Sequence, residues 1–343
     1  MVKFALLFCL AFSVHAADFR GRQFISLDSF ETGSEGVRIF DSVVPEIEWD
    51  ELVPSWNFRA TNSGLSIEVQ VGYPDYETKW YHLGRWSLDP SRHPRESVPN
   101  QRDEHGTVHT DTLKMNRPGG QVRVRVTTSL PNTKVDFLGL SFADSRAAPA
   151  PLPANTNAWG KILTVEERTQ ADFPEGISEW CSPTATSMLL SFWAAQLDRP
   201  ELNRSVPDVA AAVNDPSWPG TGNWPFNTAF AGSFPGLRAY VARFSDVSEM
   251  EEWIAAGIPL AFSVSYSLLK GQTEPGNGHL VVCIGFTENG DVIVNDPGRR
   301  QVRQTYRRGN LVKAWAASKN TVYLIHPEDA RVPKDRFGHW SKK

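Results

Sequence analysis

The chain has 343 residues, is 41% hydrophobic and carries a formal net charge of −4. That length favours two domains, and the near-neutral balance excludes the strongly basic surface a nucleic-acid binder needs. The only long apolar run, residues 4–14, is too short to cross a bilayer as a helix.

That run follows Lys3 and leads to Val14-His15-Ala16, whose first and last residues a signal peptidase accepts, so residues 1–16 are expected to be a signal peptide. The expected location is secreted or periplasmic, with no integral membrane segment after cleavage. Cys9 leaves with the signal. Cys181 and Cys283 then remain, and in an exported chain two cysteines also suggest a disulfide.

Residues 17–143 read as short strands. Leu65, Ile67, Val69 and Val71 alternate with polar residues, as do Val122, Val124 and Val126. Further strands are expected over 37–44, 80–87 and 135–142. One-sided strands need a second sheet over their apolar face, so this part is expected to be an all-β sandwich. His105, His109 and Asp111 lie close enough to weigh a metal, but their spacing is no established ligand pattern and none is assigned. Trp49, Trp56, Trp80 and Trp86 could stack on sugars or fill the core. Residues 144–157, rich in Ala and Pro, read as a semi-rigid linker. The second domain is expected over 158–327, with a charged tail over 328–343.

The second domain should open with a strand over 162–165 and continue with a helix starting at Cys181. Pro183 falls in its first turn, and Met188, Leu189, Phe192 and Trp193 make an apolar stripe. A thiol at a helix N-terminus faces unpaired N–H groups and the positive end of the dipole, which favour thiolate. A second helix is expected from Asn227. A third spans 248–257, with Ser248 as cap and Glu251 three residues on. Strands follow over 259–266, 279–286, 291–295 and 321–325, an α+β layout.

His279 opens one of these strands and Asp296 closes the next, across an Asn289-Gly290 turn. A two-residue turn would set Asp296 opposite Cys283 and leave His279 about 13 Å along the strand, so a Cys-His-Asp set requires a wider loop. If His279 serves Cys181, then Cys283, about 13 Å from it on the same face, cannot easily bridge to Cys181.

The segments Gln170, Trp180-Cys181-Ser182-Pro183-Thr184, Gly222-Asn223-Trp224-Pro225-Phe226-Asn227, Gly278-His279-Leu280 and Val294-Asn295-Asp296-Pro297 resemble bacterial exported proteins of one family. Their C-terminal domain is akin to the bacteriocin-processing (double-glycine) cysteine peptidases. The resemblance implies an α+β papain-like cysteine peptidase domain preceded by an all-β sandwich domain, acting on a peptide or protein substrate. It implies Cys181 as nucleophile, His279 as base, Asp296 as orienter and Gln170 as oxyanion donor. Trp180, Asn223 and Trp224 become candidate substrate contacts. No metal or organic cofactor is expected. Two other readings stay open: a degenerate carbohydrate- or peptide-binding protein with cell-wall or glycan contact through the sandwich, and a cell-wall peptide amidase or transpeptidase.

Overall fold

The computed structural model describes residues 20–334 and 340–342, so the expected signal peptide lies outside the described residues. Eleven strands make up the first part: β1 (Arg22–Leu27), β2 (Phe30–Glu31), β3 (Val37–Val43), β4 (Glu51–Asn57), β5 (Leu65–Gly72), β6 (Tyr81–Trp86), β7 (Gly106–His109), β8 (Thr112–Met115), β9 (Gln121–Thr128), β10 (Lys134–Val135) and β11 (Phe137–Ala143). One sheet runs β1-β11-β4-β8-β7, with β18 (Trp340–Lys342) added parallel to β1. The facing sheet runs β3-β9-β5-β6. The alternating valines point between the sheets as expected, Val69, Val71, Val122, Val124 and Val126 being fully buried. Trp49, Trp56 and Trp86 are fully buried core residues, and the guanidinium groups of Arg123 and Arg125 lie over the Trp80 ring.

The second part contains α1 (Cys181–Leu197), α2 (Val206–Val213), α3 (Trp224–Gly232), β12 (Leu237–Arg243), α4 (Val247–Ala255), β13 (Leu260–Ser265), α5 (Tyr266–Leu269), β14 (Gly278–Phe286), β15 (Val292–Asn295), β16 (Arg303–Tyr306), α6 (Arg308–Ala316) and β17 (Thr321–Pro327). Six strands form an antiparallel sheet in the order β12-β17-β13-β14-β15-β16. Helix α1 packs against β14, β13 and β17, while α2 and α3 lean on its other side. The expected apolar stripe is therefore too narrow a description: every residue from Ser182 to Ala194 is buried, because neighbours cover the helix nearly all round.

Three local expectations are corrected. Residues 162–165 form no strand; Ile162 makes a single bridge to Gly285. Helix α3 starts at Trp224 rather than Asn227, because Asn223 caps it. Helix α4 is capped by Asp246 rather than Ser248, the Asp246 carboxylate accepting the Ser248 N–H at 2.8 Å. Glu251, expected to serve that helix start, is instead fully buried and accepts from the Trp159 indole, the Asn155 backbone N–H and Arg308.

The two parts share an apolar core. Edge strand β12 and helix α3 rest on β4, where the Trp56 ring meets Phe226 edge-on at 6.2 Å. The Asn57 amide donates to the Ala239 carbonyl at 2.6 Å and accepts the Ala239 N–H at 3.2 Å. Buried Glu51 and Arg243 pair at 2.8 Å. The Ala/Pro linker is tied down as well: the Leu152 N–H donates to Asp246 and the Asn155 N–H to Glu251.

Candidate active site

Cys181 is the first residue of α1, with Trp180 as the N-cap, and its thiol is half-buried. The first N–H groups of a helix lack intrahelical acceptors, so the sulfur sits where the backbone favours negative charge. Burial by itself raises the thiol. The hydrogen bond with His279, the imidazolium charge, and the backbone N–H groups of Leu280 and Ser182 outweigh that and bring it below its ordinary value. Ser182 is fully buried and shares a 2.8 Å hydrogen bond with the Tyr323 hydroxyl, fixing the first turn from behind.

His279 is the second residue of β14 and is 5% exposed. Its Nε2 lies 2.7 Å from Asp296 Oδ1, which leaves Nδ1 for the thiol. The wider loop that this contact requires is present: Thr287 and Asp291 close a five-residue turn, and the register shifts by one between Cys283 and Gly285. Asn295 thus pairs with Val282, and the pairing continued by one residue sets Asp296 across from Val281 rather than Cys283. The loop and the bulge together move Asp296 about 7 Å closer to His279 along the strand.

Asp296 is fully buried and receives four donors. Oδ1 accepts His279 Nε2 and the Gly298 N–H at 2.9 Å; Oδ2 accepts the Tyr266 hydroxyl at 3.0 Å and the Tyr306 hydroxyl at 2.6 Å. Burial raises this carboxyl, but the His279 hydrogen bond and charge, with the Tyr306 and Gly298 donors, hold it below its ordinary value. Burial likewise lowers His279, whereas its bonds to Asp296 and Cys181 and their charges push it up to about 9. A thiolate–imidazolium pair backed by a carboxylate is the resulting charge state.

Gln170 is buried beside this group, its backbone N–H bonded to the Pro297 carbonyl at 3.0 Å. Its side-chain Nε2 donates to the Ile177 carbonyl at 2.6 Å, so one of its two amide hydrogens is engaged within the 170–177 segment. Trp180 stands next to the nucleophile, packed over Gly176 and tilted against Phe173 at 5.8 Å. Asn223 is corrected: it is 1% exposed, and its amide caps α3 and bonds Asp215 at 3.0 Å, leaving no face for a substrate. Trp224, a candidate substrate contact, lines a cavity of about 310 Å³ between the two parts, with Trp218, Gly222, His109 and Lys114.

Cys283 is fully buried in β14, and desolvation drives its thiol far above the ordinary range. Both cysteines are free thiols. Among the described residues no group of three or more His, Cys, Asp or Glu side chains could hold a metal ion. His105 lies against the Tyr76 ring, and the Asp111 carboxylate accepts the Trp224 N–H at 2.8 Å. Tyr266 and Tyr306 escaped the sequence reading, because they lie 30 and 10 residues from Asp296 and only the sheet and the α5–α6 contact unite them.

With this geometry in place, comparison with known proteins decides the family. Residues 162–323 match the Peptidase_C39 like family, and residues 39–137 match the Peptidase C39 N-terminal domain. Over residues 162–323 the chain belongs to the Peptidase_C39 like family. All the triad candidates fall within the C39-like segment, and the preceding all-β part coincides with the C39 N-terminal domain. No curated protein matches the sequence. A candidate C39-like peptidase from Bacillus anthracis is 14% identical, with a TM-score of 0.34, over 51% of this chain and 98% of that one. Modules of the Clostridium thermocellum endo-1,4-β-D-xylanase 10B are 10% identical, with a TM-score of 0.16, over 44% of this chain and 32% of that one.

Proposed function

We propose that the chain is an exported cysteine peptidase of papain-like fold that hydrolyses peptide amide bonds through a thioester acyl-enzyme. The observation that carries this reading is the convergence of Cys181 at a helix N-terminus with His279 and its four-donor partner Asp296.

In this mechanism the Cys181 thiolate attacks the scissile carbonyl carbon, forming the C–S bond and an oxyanion. N–H groups at the start of α1 and the free hydrogen of the Gln170 amide stabilise that oxyanion, each such donor being worth ~3 kcal/mol in the barrier. Collapse breaks the C–N bond, and the His279 imidazolium hands its proton to the departing amine. Neutral His279 then takes a proton from water, whose oxygen attacks the thioester, and the C–S bond breaks to give a carboxylic acid and to restore the thiolate–imidazolium pair. Asp296 keeps the imidazole in the tautomer and plane that both transfers need.

The test is labelling of the purified protein under reducing conditions with an epoxide or vinyl sulfone probe, followed by peptide mapping. Label on Cys181 that is lost in His279→Ala, together with cleavage of a peptide library that is lost in Cys181→Ala, is the expected result. An unlabelled Cys181 in folded protein would instead mean a binding module on a peptidase scaffold.

A further inference from the structure

The immediate surroundings of Asp296 are richer than a Cys-His-Asp mechanism requires. A carboxylate presents about four lone-pair sites, and here all four are taken by His279, Gly298, Tyr266 and Tyr306. The two phenols converge on the oxygen that His279 does not use. Tyr266 also covers the imidazole, with ring centroids 4.1 Å apart. On the other side Gly298 approaches so closely that a Cβ there would stand 3.1 Å from His279 Cε1. The imidazole is therefore held between a phenol ring and a glycine backbone, and its carboxylate partner between two phenol hydroxyls.

We infer that Tyr266 and Tyr306 are positioning residues of the proposed triad: they draw negative charge to Asp296 Oδ2, and the Tyr266 ring fixes the plane of His279. This inference rests on the peptidase reading. The geometry follows from the fold. Tyr266 directly follows β13, whose Val264 pairs with His279, and its backbone N–H bonds the Asn277 carbonyl at 3.1 Å. Tyr306 ends β16, and the helices that begin around these residues, α5 and α6, pack together. Two sequence-distant tyrosines are thereby brought to one carboxylate.

The charge argument has a definite sign. The groups facing the pair are Cys181, Tyr266, Tyr306 and Arg299, the last hydrogen-bonded to Tyr306. Burial, then the nearby Asp296 charge, push Tyr266 up to about 12. Burial, and then the hydrogen bond to Asp296, raise Tyr306 further. Both phenols therefore keep their protons and remain donors throughout the working range. A donor on Oδ2 competes with the imidazolium for the carboxylate charge, so it moderates how strongly Asp296 stabilises protonated His279. Removing a hydroxyl should therefore let His279 hold its proton to higher pH. A tyrosine that only filled space would leave that limit alone.

The experiment follows the rate of Cys181 inactivation by a peptidyl vinyl sulfone, mapped by mass spectrometry, against pH in wild type, Tyr306→Phe, Tyr266→Phe and Tyr266→Leu. In wild type the upper limb should lie near the imidazolium value of about 9. Tyr306→Phe should raise that limb by about 0.5–1 pH unit, a fraction of what one charge-assisted hydrogen bond is worth. Tyr266→Phe should raise it less, its bond to Asp296 being longer, 3.0 against 2.6 Å. Tyr266→Leu should also lower the plateau roughly tenfold through loss of the ring that covers His279, a loss that Tyr266→Phe restores. A limb that stays or falls in both phenylalanine variants, while Cys181 is labelled normally in wild type, overturns the inference. Absence of label on wild-type Cys181 overturns the peptidase reading instead. If Tyr306→Phe fails to fold, the half-buried Tyr266 pair of variants decides alone.

Discussion

Cys181 precedes Ser182-Pro183 and Cys283 sits between Val282 and Ile284, and the two thiols have opposite chemistry. Cys181 gains a helix terminus and an imidazolium, while Cys283 is fully buried in β14 between Leu260 and Val294 of the adjoining strands. The His279 and Cys181 shifts also have opposite consequences for stability. His279 is raised, so its contribution is full below its ordinary 6.5 and is lost as pH rises through about 9. Cys181 is lowered, so its contribution is full above the ordinary thiol value of 9.0 and is lost as pH falls through its folded value. The two largely offset each other in the wild type. The gap in Tm between wild type and Cys181→Ser should accordingly widen from pH 6.5 to 9. A gap independent of pH, measured by calorimetry, would mean that Cys181 is an ordinary thiol in the folded protein.

Among the elements, the β14–β15 hairpin decides whether a triad exists at all. Its bulge lies where Gly285 meets the 161–162 backbone, and a Cβ at Gly285 would fall 2.1 Å from the Lys161 carbonyl oxygen. That contact involves backbone and cannot be relieved by a rotamer change. Gly285→Ala should therefore cost about 1–3 kcal/mol of stability, as overpacking commonly does. Because the bulge sets the register of Asp296, probe labelling of Cys181 should fall even in the fraction that remains folded. Unchanged labelling alongside a lowered Tm would show that the register tolerates the shift. The triad reading called for a wider loop, but neither its five-residue length nor the bulge was legible in the sequence. Asn289-Gly290 marks a turn but does not count its residues, whereas the strands on either side of it were legible from their apolar runs.

For the whole molecule, the expectation of two domains joined by a linker has to meet a shared interface. Buried groups on the sandwich take partners from the second part: Asn57 the Ala239 backbone, Glu51 the Arg243 guanidinium, and Trp56 the Phe226 ring. Separating the parts would strip the Asn57 amide and the Arg243 guanidinium of these partners and expose the Trp56–Phe226 contact, so a protease cut near residues 149–153 should yield two fragments that co-elute on size exclusion. Asn57→Ala should lower stability by roughly 1–3 kcal/mol, since it leaves the Ala239 N–H and carbonyl without their partner. Clean separation of two folded fragments after cleavage would show the interface to be dispensable.

The sequence by itself determined the periodic elements and the chemistry they could carry: alternating strands, a helix beginning at a cysteine, and a histidine and an aspartate at the ends of neighbouring strands. Those features follow from local propensity, and local propensity is written within a few residues of where it acts. Tertiary structure alone decided the rest. It committed Asn223 to a cap, carried Trp224 to an interdomain cavity, bulged β14 so that Asp296 reaches His279, and brought Tyr266 and Tyr306 to the same carboxylate. Each of these depends on strand register and on packing between segments remote in the chain, where the energy of a contact leaves no pattern in the neighbouring residues.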